Sequence, residues 1–394
     1  MRPILMLSAL ACAVALPLSV PAAHAAETQA WPPKFTFDGG TEFTLTGNVA
    51  WDFVRFDDDD RLEDADGLRR REFGATLRKR GVYDAMVYYD FEAGSWLDAF
   101  VRFESEHFFG RDLGRLRIGY MKVPVGFEGV TSSRAVSFLE LSAPIQAIYQ
   151  GRRTGVEWTL EQDQALFQVG GYAGQDLEGG NPGQTVALRG AWTPRKAEGD
   201  VLHLGVTASR ENPEGTTGDD GEHIRPGGRL RARPGSNLTD LRLVDSGELT
   251  PVSNIVRTGL EGLWIRGPVS LQGELLRAEV ERDDGLGDYT ADGGYIAASW
   301  LVTGETRPYS QGNVANPVPN RPTTGAVELL ARYSTLDLDS GGIAGGRQHD
   351  WTFGANWYLS RNVKLQANYV RVNATRGEES TSPSMIQMRA QVHF

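Results

Sequence analysis

Cysteine is almost absent from this sequence. Cys12 is the single cysteine among 394 residues, and it lies in a segment that we expect to be removed. Residues 1–25 begin with a basic residue, continue through an apolar run at 4–20 and end on the small-residue pattern Ala-His-Ala, which is typical of a secretory signal peptide with its cleavage site. The mature chain is therefore expected to have no disulfide bond, no thiolate metal site and no cysteine nucleophile.

Long apolar runs are absent after residue 25. A membrane-spanning helix needs about 20 apolar residues, so this sequence predicts none in the mature chain. An exported chain of this kind is periplasmic, secreted or a β-barrel. The 47 glycines and nine tryptophans, in a chain with only 40% hydrophobic residues, favour a barrel, in which outward apolar residues alternate with inward polar ones.

Lysine is scarce as well, with five lysines against 35 arginines. Arginine keeps its charge at any working pH and binds oxyanions through a two-pronged guanidinium, although a GC-rich genome produces the same bias. The net charge of −11 argues against nucleic acid as a partner. It does not predict what passes through a pore, because it sums the charges of the lumen and of the loops.

Period-two alternation runs through most of the chain. In the last segment, 384–394, apolar residues alternate with polar ones from Ile386 to Phe394, which is typical of a barrel strand with one face toward lipid. We expect Phe394 to be the terminal aromatic residue that outer-membrane barrel assembly requires. The other segments of this kind number fifteen: 43–55, 68–79, 81–92, 96–104, 113–122, 152–161, 164–173, 184–193, 200–209, 253–266, 268–280, 289–302, 325–337, 349–359 and 362–373.

The fold class predicted from these sixteen segments is all-β, a single transmembrane antiparallel β-barrel over 43–394. Residues 26–42 form an N-terminal leader in this interpretation. The even strand number leaves both chain ends in the periplasm, and long links should alternate with short ones because periplasmic turns are short. The long links at 123–151, 210–252 and 338–348 fall on the outer side, whereas 303–324 is a long periplasmic exception.

The link 123–151, the third outer loop, has many apolar residues, among them Phe127, Phe138 and Ile145. A loop surrounded by water would not need them, so we expect this loop to fold into the barrel and narrow the pore. The alternative is an outer loop that packs only on itself.

The alternation also places basic side chains inside the barrel, and rings of arginine favour anions. Inward carboxylates argue against an anion preference, so periodicity alone does not decide whether the pore prefers anions or cations. The inward basic residues are Arg70, Arg78, Arg102, Arg115, Arg117, Arg153, Arg189, Arg257, Arg332, Lys364 and Arg389. The inward acidic residues are Glu72, Asp84, Asp90, Asp98, Glu104, Glu157, Glu261 and Glu328.

No enzyme chemistry is predicted. None of the six histidines has a metal-ligand spacing, and no G-x-S-x-G nucleophile motif occurs. The acidic run 57–60 in the first outer loop offers oxygen ligands for Ca²⁺, but such a run is more often a solvated loop, and we favour that interpretation. We therefore predict no catalytic residue, no metal and no cofactor.

Several stretches resemble the phosphate-selective porins of the O and P type. They include "LRRREFGATLRKRGVYDAMVYYDFEAGSWLDAFVRF", "RLRIGYMKVPVGFEGVTSSRAVSFLE", "GRRTGVEW" and "FGANWYLSRNVKLQANYVRV", spread over most of the mature chain. The resemblance implies a sixteen-stranded homotrimeric barrel in the outer-membrane lipid, an inward third loop, and arginines that lead small anions such as phosphate or polyphosphate to a narrow zone.

The resemblance also implies a set of site residues. Arg69, Arg70 and Arg71 look like the family's basic cluster on the second strand, and Asp90 looks like its lumen aspartate. The third-loop residues are Ser132, Ser133 and Arg134, with Lys122, Arg152 and Arg153 at the ends of that loop. Two other functions remain open: a general, weakly selective porin, and a structural or adhesive barrel that acts through its outer loops, chiefly 210–252.

Overall fold

The computed structural model describes residues 31–218 and 220–394, so the predicted signal peptide 1–25 lies outside the described residues. Sixteen antiparallel strands form a closed barrel, because β1 pairs with β16 from Asn48↔His393 to Asp57↔Ser384. The predicted fold class and strand number are confirmed. The strands are β1 (Thr41–Asp57), β2 (Ala65–Lys79), β3 (Tyr83–Asp90), β4 (Ser95–Glu104), β5 (Arg115–Lys122), β6 (Arg152–Glu161), β7 (Ala165–Ala173), β8 (Gly183–Ala197), β9 (Asp200–Pro213), β10 (Val252–Arg266), β11 (Val269–Arg282), β12 (Tyr289–Leu301), β13 (Ala326–Ser340), β14 (Ile343–Tyr358), β15 (Val363–Arg376) and β16 (Ser384–His393).

Side chains alternate between the two faces of each strand, since successive residues of a strand point to opposite sides. In β16, Ile386 and Met388 are about half exposed on the outside, while Gln387 and Arg389 are 2% exposed on the inside. The outer face is thus apolar and the inner face polar, as a membrane barrel requires.

The predicted leader contains a short strand. Lys34–Phe37 pairs with the first residues of β1, from Lys34↔Thr44 to Phe37↔Thr41. The N-terminal part of β1 extends beyond the last residue of β16, and this short strand pairs with it there.

Three short helices lie in the links: α1 (Ser105–Phe109), α2 (Phe127–Val130) and α3 (Ala143–Ile148). No helix among the described residues is long and apolar enough to cross a membrane. Short two-stranded pairings occupy other links. They are Thr216–Thr217 with His223–Ile224, Arg231–Ala232 with Val244–Asp245, and Tyr309–Ser310 with Asn313–Val314, and Glu379–Thr381 pairs with the end of β15.

The predicted long outer link 338–348 is wrong. β13 continues outward to Ser340 and β14 begins at Ile343, so a two-residue turn joins the two strands. Both turn residues, Gly341 and Gly342, have positive φ, at 57° and 82°, which two-residue hairpin turns need and glycine adopts without strain.

Three links fold into the barrel: loop 3 (123–151), loop 5 (214–251) and the periplasmic link 302–325. An apolar cluster joins loops 3 and 5 to the inner wall through Ile145 and Ile148 of loop 3, Leu230 and Val244 of loop 5, and Val280 of the wall. The prediction that loop 3 folds inward is confirmed. Loop 5 was predicted to lie outside the barrel, whereas its residues Leu230 and Val244 pack inside it. Its apolar residues do not alternate regularly, so sequence periodicity could not reveal this placement.

Candidate functional site

The main cavity of the described chain is an open space of about 770 Å³ inside the barrel. Strands β2 to β8 form its wall on one side, and loop 3 forms the opposite side. Loop 5 reaches it from the outer side and the link 302–325 from the periplasmic side. The cavity that the three inward links leave open therefore runs along the wall β2–β8, and we call it the passage.

The charged residues that line this cavity are predominantly basic. Twelve lining residues carry a basic side chain: Arg69, Arg70, Arg102, Arg115, Arg117, Lys122, Arg134, Arg152, Arg189, Arg231, Arg233 and Arg242. Four carry a carboxylate: Glu72, Asp98, Glu140 and Glu157.

A β-bulge explains how two consecutive arginines of β2 both face the cavity. Ala50 of β1 pairs with Arg70, whereas Trp51 pairs with Leu68, so Arg69 is the extra residue. A bulge redirects the side chain of its extra residue. Regular alternation would turn Arg69 toward the outside, yet both Arg69 and Arg70 line the cavity.

Most of the wall arginines are paired with carboxylates. The register of the barrel places Arg117 opposite Glu157 and Arg102 opposite Asp84, and the ion pairs measure 2.6 and 2.7 Å. Residues directly opposite each other on adjacent strands are close enough for such pairing. These pairs hold the arginine side chains against the wall and offset part of their charge.

Four basic residues of the cavity have no Asp or Glu side chain within 4.0 Å among the residues that the structure describes: Lys122, Arg134, Arg231 and Arg242. Arg134 instead donates to the main-chain oxygen of Phe394 at 3.0 Å. Lys122 lies at the end of β5, and its Nζ donates to the carbonyl oxygens of Gly129 at 2.9 Å and Thr131 at 2.6 Å. Lys122 therefore fixes loop 3 at these two residues, while no Asp or Glu side chain nearby offsets its charge.

Arg134 extends from loop 3 toward β3. Its guanidinium donates to Thr46 Oγ1 at 2.6 Å and to the Tyr88 hydroxyl at 2.8 Å, and it lies over the Tyr88 ring. Tyr88 in turn donates to Glu72 at 3.0 Å. The Tyr88 ring can lie flat on the wall because Gly74 stands beside it, where a Cβ would come 2.6 Å from the ring.

A second basic cluster belongs to loop 5. Arg231, Arg233 and Arg242 all line the cavity, and Arg233 is held by Asn237, at 2.6 Å, and by the carbonyl oxygen of Thr239. Burial first, and then the neighbouring guanidinium groups of Arg233 and Arg231, lower the pKa of Arg242. Such mutual repulsion is relieved when an anion binds between the groups.

Ten of the residues predicted from sequence line the cavity: Arg69, Arg70, Arg102, Arg117, Lys122, Ser132, Ser133, Arg134, Arg152 and Arg189. Ser133 donates to Glu72 at 3.3 Å. Ser132 Oγ accepts the N–H of Arg134 at 3.4 Å. The loop-3 residues and the β2 cluster therefore meet in one place.

Arg332 and Arg389 were expected to line the pore, but the structure places them behind loop 3. Arg389 pairs with Asp52 at 2.6 Å and donates to the carbonyl oxygen of Leu139 at 2.8 Å. Arg332 donates to Glu128 and to the carbonyl oxygen of Glu140, both at 3.0 Å. Alternation correctly turned both side chains inward, but it could not show that loop 3 covers them.

The other three predicted residues also lie away from the cavity. Arg71 turns to the outside, as alternation with the inward Arg70 and Glu72 requires, and donates to the carbonyl oxygen of Phe91 at 2.8 Å. Asp90 accepts the backbone N–H groups of Arg71 and Glu92. Arg153 pairs with Glu211 at 2.9 Å, beside the end of loop 3.

Sequence reasoning did not select four basic residues that the structure adds to the cavity: Arg115, Arg231, Arg233 and Arg242. Arg115 was recognised as inward by alternation but was not carried into the predicted site. The other three belong to loop 5, where the only signal was the basic run in 229–233.

No group of three or more His, Asp or Glu side chains in the described part of the chain is arranged to hold a metal ion. In the acidic first loop, Asp58 pairs with Arg371 and Asp59 with Arg61 at 2.7 Å.

A closed barrel of sixteen strands with an inward loop and a polar, water-accessible passage defines a porin of the outer membrane. The family model that matches residues 43–394 is that of phosphate-selective porin O and P. The chain belongs to this family. Among curated relatives, Porin O of Pseudomonas aeruginosa is 27% identical over 379 residues, which covers 86% of this chain and 85% of that protein.

Solved structures show the same fold. An anion-selective porin from Comamonas acidovorans covers 90% of this chain and 100% of its own, with a TM-score of 0.56 and 13% identity. Outer-membrane expressed OmpT of Vibrio cholerae covers 92% of this chain and 100% of its own, with a TM-score of 0.59 and 11% identity.

Proposed function

We propose that this porin lets small oxyanions diffuse passively through the barrel, with phosphate and polyphosphate as its preferred solutes. The observation that carries the proposal is the twelve-to-four excess of basic over acidic side chains around the main cavity. A guanidinium presents two parallel N–H groups that match two oxygens of a phosphate. The family description and the name of the Comamonas porin agree with anion passage.

The cavity offers such an anion two successive zones. The loop-5 cluster of Arg231, Arg233 and Arg242 would attract it first from the outer side. Lys122 and Arg134, which have no Asp or Glu side chain within 4.0 Å among the described residues, would bind it next, beside the hydroxyl groups of Ser132 and Ser133. Electrostatic attraction in a narrow cleft raises the local concentration of the counter-ion.

A homotrimer is part of the proposal. One solved structure of similar fold, OmpT of Vibrio cholerae, is described in a trimer form, and the resemblance to the O and P porins implies three copies. Chemical crosslinking in detergent, which should stop at three subunits, tests this state.

A general, weakly selective porin is the second candidate, and the paired wall arginines favour it. Glu72, Asp98 and Glu157 offset three of the lining charges. The adhesive alternative is less well supported, because much of loop 5, which would carry it, packs inside the barrel from Leu230 to Leu249.

Single-channel recording in a planar bilayer tests the proposal. We expect a reversal potential that favours Cl⁻ over K⁺, and a chloride current that millimolar phosphate reduces. In Arg134→Ala, the phosphate concentration that halves the current should rise about tenfold or more, because a charge-assisted hydrogen bond is lost. Arg70→Ala should act in the same direction.

Arg71→Ala is the matched control, because Arg71 has the same charge and a neighbouring place in β2 but turns outward. Its phosphate inhibition should equal that of the wild type. A preference for K⁺ with no effect of phosphate would refute the proposal, and equal losses in the Arg134 and Arg71 variants would show that the site lies elsewhere.

A further inference from the structure

Glu140 differs from the other carboxylates that line the cavity. Glu72, Asp98 and Glu157 belong to the strands of the wall, whereas Glu140 belongs to loop 3. It therefore approaches the passage from the opposite side. Only 7% of its surface is exposed, and it is among the residues that line the basic cavity.

The Glu140 carboxylate is held by three different parts of the molecule. Arg69 of β2 donates to Oε1 at 3.0 Å, Arg389 of β16 donates to the same oxygen at 3.1 Å, and Asn237 of loop 5 donates to Oε2. Charge-assisted bonds of this kind are stronger than neutral ones. Glu140 thus connects loop 3 to strands β2 and β16 of the wall and to loop 5.

Arg69 depends on this carboxylate. Glu140 is its one acidic partner within 4.0 Å among the described residues, and the bulge in β2 is what brings Arg69 into the cavity. Without Glu140, Arg69 would join Lys122 as a cation of the passage that has no Asp or Glu partner among the described residues.

We infer that Glu140 is a built-in counter-ion that weakens anion binding in the cavity and so permits rapid release of the solute. This inference rests on the proposed function and deepens it by naming the residue that sets the affinity. An entering oxyanion would compete with Glu140 for Arg69 and would be repelled by its charge. A channel needs binding that is strong enough for entry and weak enough for exit.

The test compares Glu140→Gln with Glu128→Gln in planar bilayers. Glu128 is the matched control, because it is also a buried loop-3 carboxylate paired with an arginine, Arg332 at 3.0 Å, yet it does not line the cavity. In Glu140→Gln we expect the ratio of Cl⁻ to K⁺ permeability to rise about threefold, the effect of one elementary charge a few ångströms from the ion path. Phosphate should inhibit at lower concentration and dissociate more slowly. Glu128→Gln should leave both quantities unchanged.

A third variant separates charge from the tether between the loops. Asn237→Ala removes the loop-5 contact of Glu140 and one hydrogen bond of Arg233 but keeps the carboxylate, so neither the ratio of Cl⁻ to K⁺ permeability nor the affinity for phosphate should rise above that of the wild type. If Asn237→Ala reproduces the change seen in Glu140→Gln, loop position is the cause and the inference is overturned. If the wild type prefers anions and Glu140→Gln equals it, the inference alone fails. If the wild type prefers cations, the proposed function fails first.

Discussion

Arginine has two different tasks in this barrel, and the neighbours of each arginine decide between them. Arg134 projects into the cavity and donates to the hydroxyl groups of Thr46 and Tyr88. Arg389 is 2% exposed and donates to a carbonyl oxygen of loop 3 as well as to Asp52. The planar guanidinium suits both tasks, because it can bind an oxyanion or several fixed oxygens at once.

The ionisation of Glu140 leads to a prediction at the residue scale. Burial would raise the pKa of Glu140, but the guanidinium groups of Arg69 and Arg389, together with Arg70, outweigh it and lower the pKa to about 2. A carboxylate with a lowered pKa stays charged, and stabilises the fold, until the pH falls through that lowered value. Glu140 should therefore remain ionised from pH 8 to pH 4.

The difference in reversal potential between wild type and Glu140→Gln should accordingly persist from pH 8 to pH 4 and diminish only toward pH 2. Reversal potentials of both channels, recorded over this series, provide the measurement. A difference that disappears near pH 4.5 would show that Glu140 titrates like an ordinary glutamate and that its contacts with the arginines are not maintained in the membrane.

At the scale of elements, loop 3 is fixed by donors from the inner wall. Lys364 Nζ donates to the carbonyl oxygens of Arg134 and Val136, both at 3.1 Å, and Arg257 donates to that of Ile148 at 2.9 Å. Loop 3 has only two short helices, so most of its backbone polar groups need partners outside the loop. The strands β10 to β16 supply many of these partners, and Lys122 of β5 supplies another on the opposite wall.

Replacing an anchor should loosen loop 3. Arg389→Ala breaks a buried pair with Asp52 and leaves that carboxylate without its partner, which typically costs about 3–5 kcal/mol. We expect a lower midpoint of thermal unfolding in detergent, followed by circular dichroism, and larger fluctuations of the single-channel current.

Arg266→Ala is the control for this anchor. Arg266 also pairs with an aspartate, Asp200 at 2.9 Å, but its side chain is 62% exposed, and exposed pairs contribute about 0–1 kcal/mol. Equal unfolding midpoints for the two variants would mean that Arg389 does not anchor the loop.

At the scale of the whole molecule, the barrel separates charge. The chain has a net charge of −11, yet its main cavity is lined by twelve basic and four acidic residues. The acidic excess therefore lies away from the passage, for example in the first outer loop with its run 57–60. The net charge follows from composition alone, whereas the charge that lines the cavity depends on where the fold places each charged side chain.

This separation predicts a selectivity that depends on salt. The electrostatic screening length is about 10 Å at 0.1 M and about 3 Å at 1 M, so the field of the basic residues that line the cavity should reach across the passage only at low salt. The ratio of Cl⁻ to K⁺ permeability should be highest at 0.1 M KCl and fall toward one at 1 M, as measured by reversal potentials across fixed concentration ratios. A ratio independent of salt would mean that direct contacts select the ion.

The fold could be predicted from the sequence because a membrane barrel repeats one rule. Every strand must present apolar residues outward and polar residues inward, so each segment carries its own signal, and all sixteen strands were located within a few residues. The two-residue turn at 341–342 was missed because β13 and β14 continue beyond the apolar band, where their side chains no longer need to alternate.

The candidate site was predicted only in part. Alternation and resemblance together identified Arg70, Arg117 and Arg134, but they also selected Arg71 and Arg389, which lie outside the passage. The bulge in β2 turns Arg69 into the cavity although regular alternation would turn it outward. Loop 3 covers Arg389, and alternation along β16 does not reveal that cover.

Composition and period-two alternation by themselves determined an all-β membrane barrel with a polar, arginine-bearing interior. Only the tertiary structure decided which of those arginines meet a solute. Loop 3, loop 5 and the link 302–325 fill most of the lumen and leave a passage along β2–β8, and the contacts that hold them there join residues more than one hundred positions apart, such as Arg257 with Ile148. Such contacts leave no local pattern, because they depend on the closed shape of the barrel.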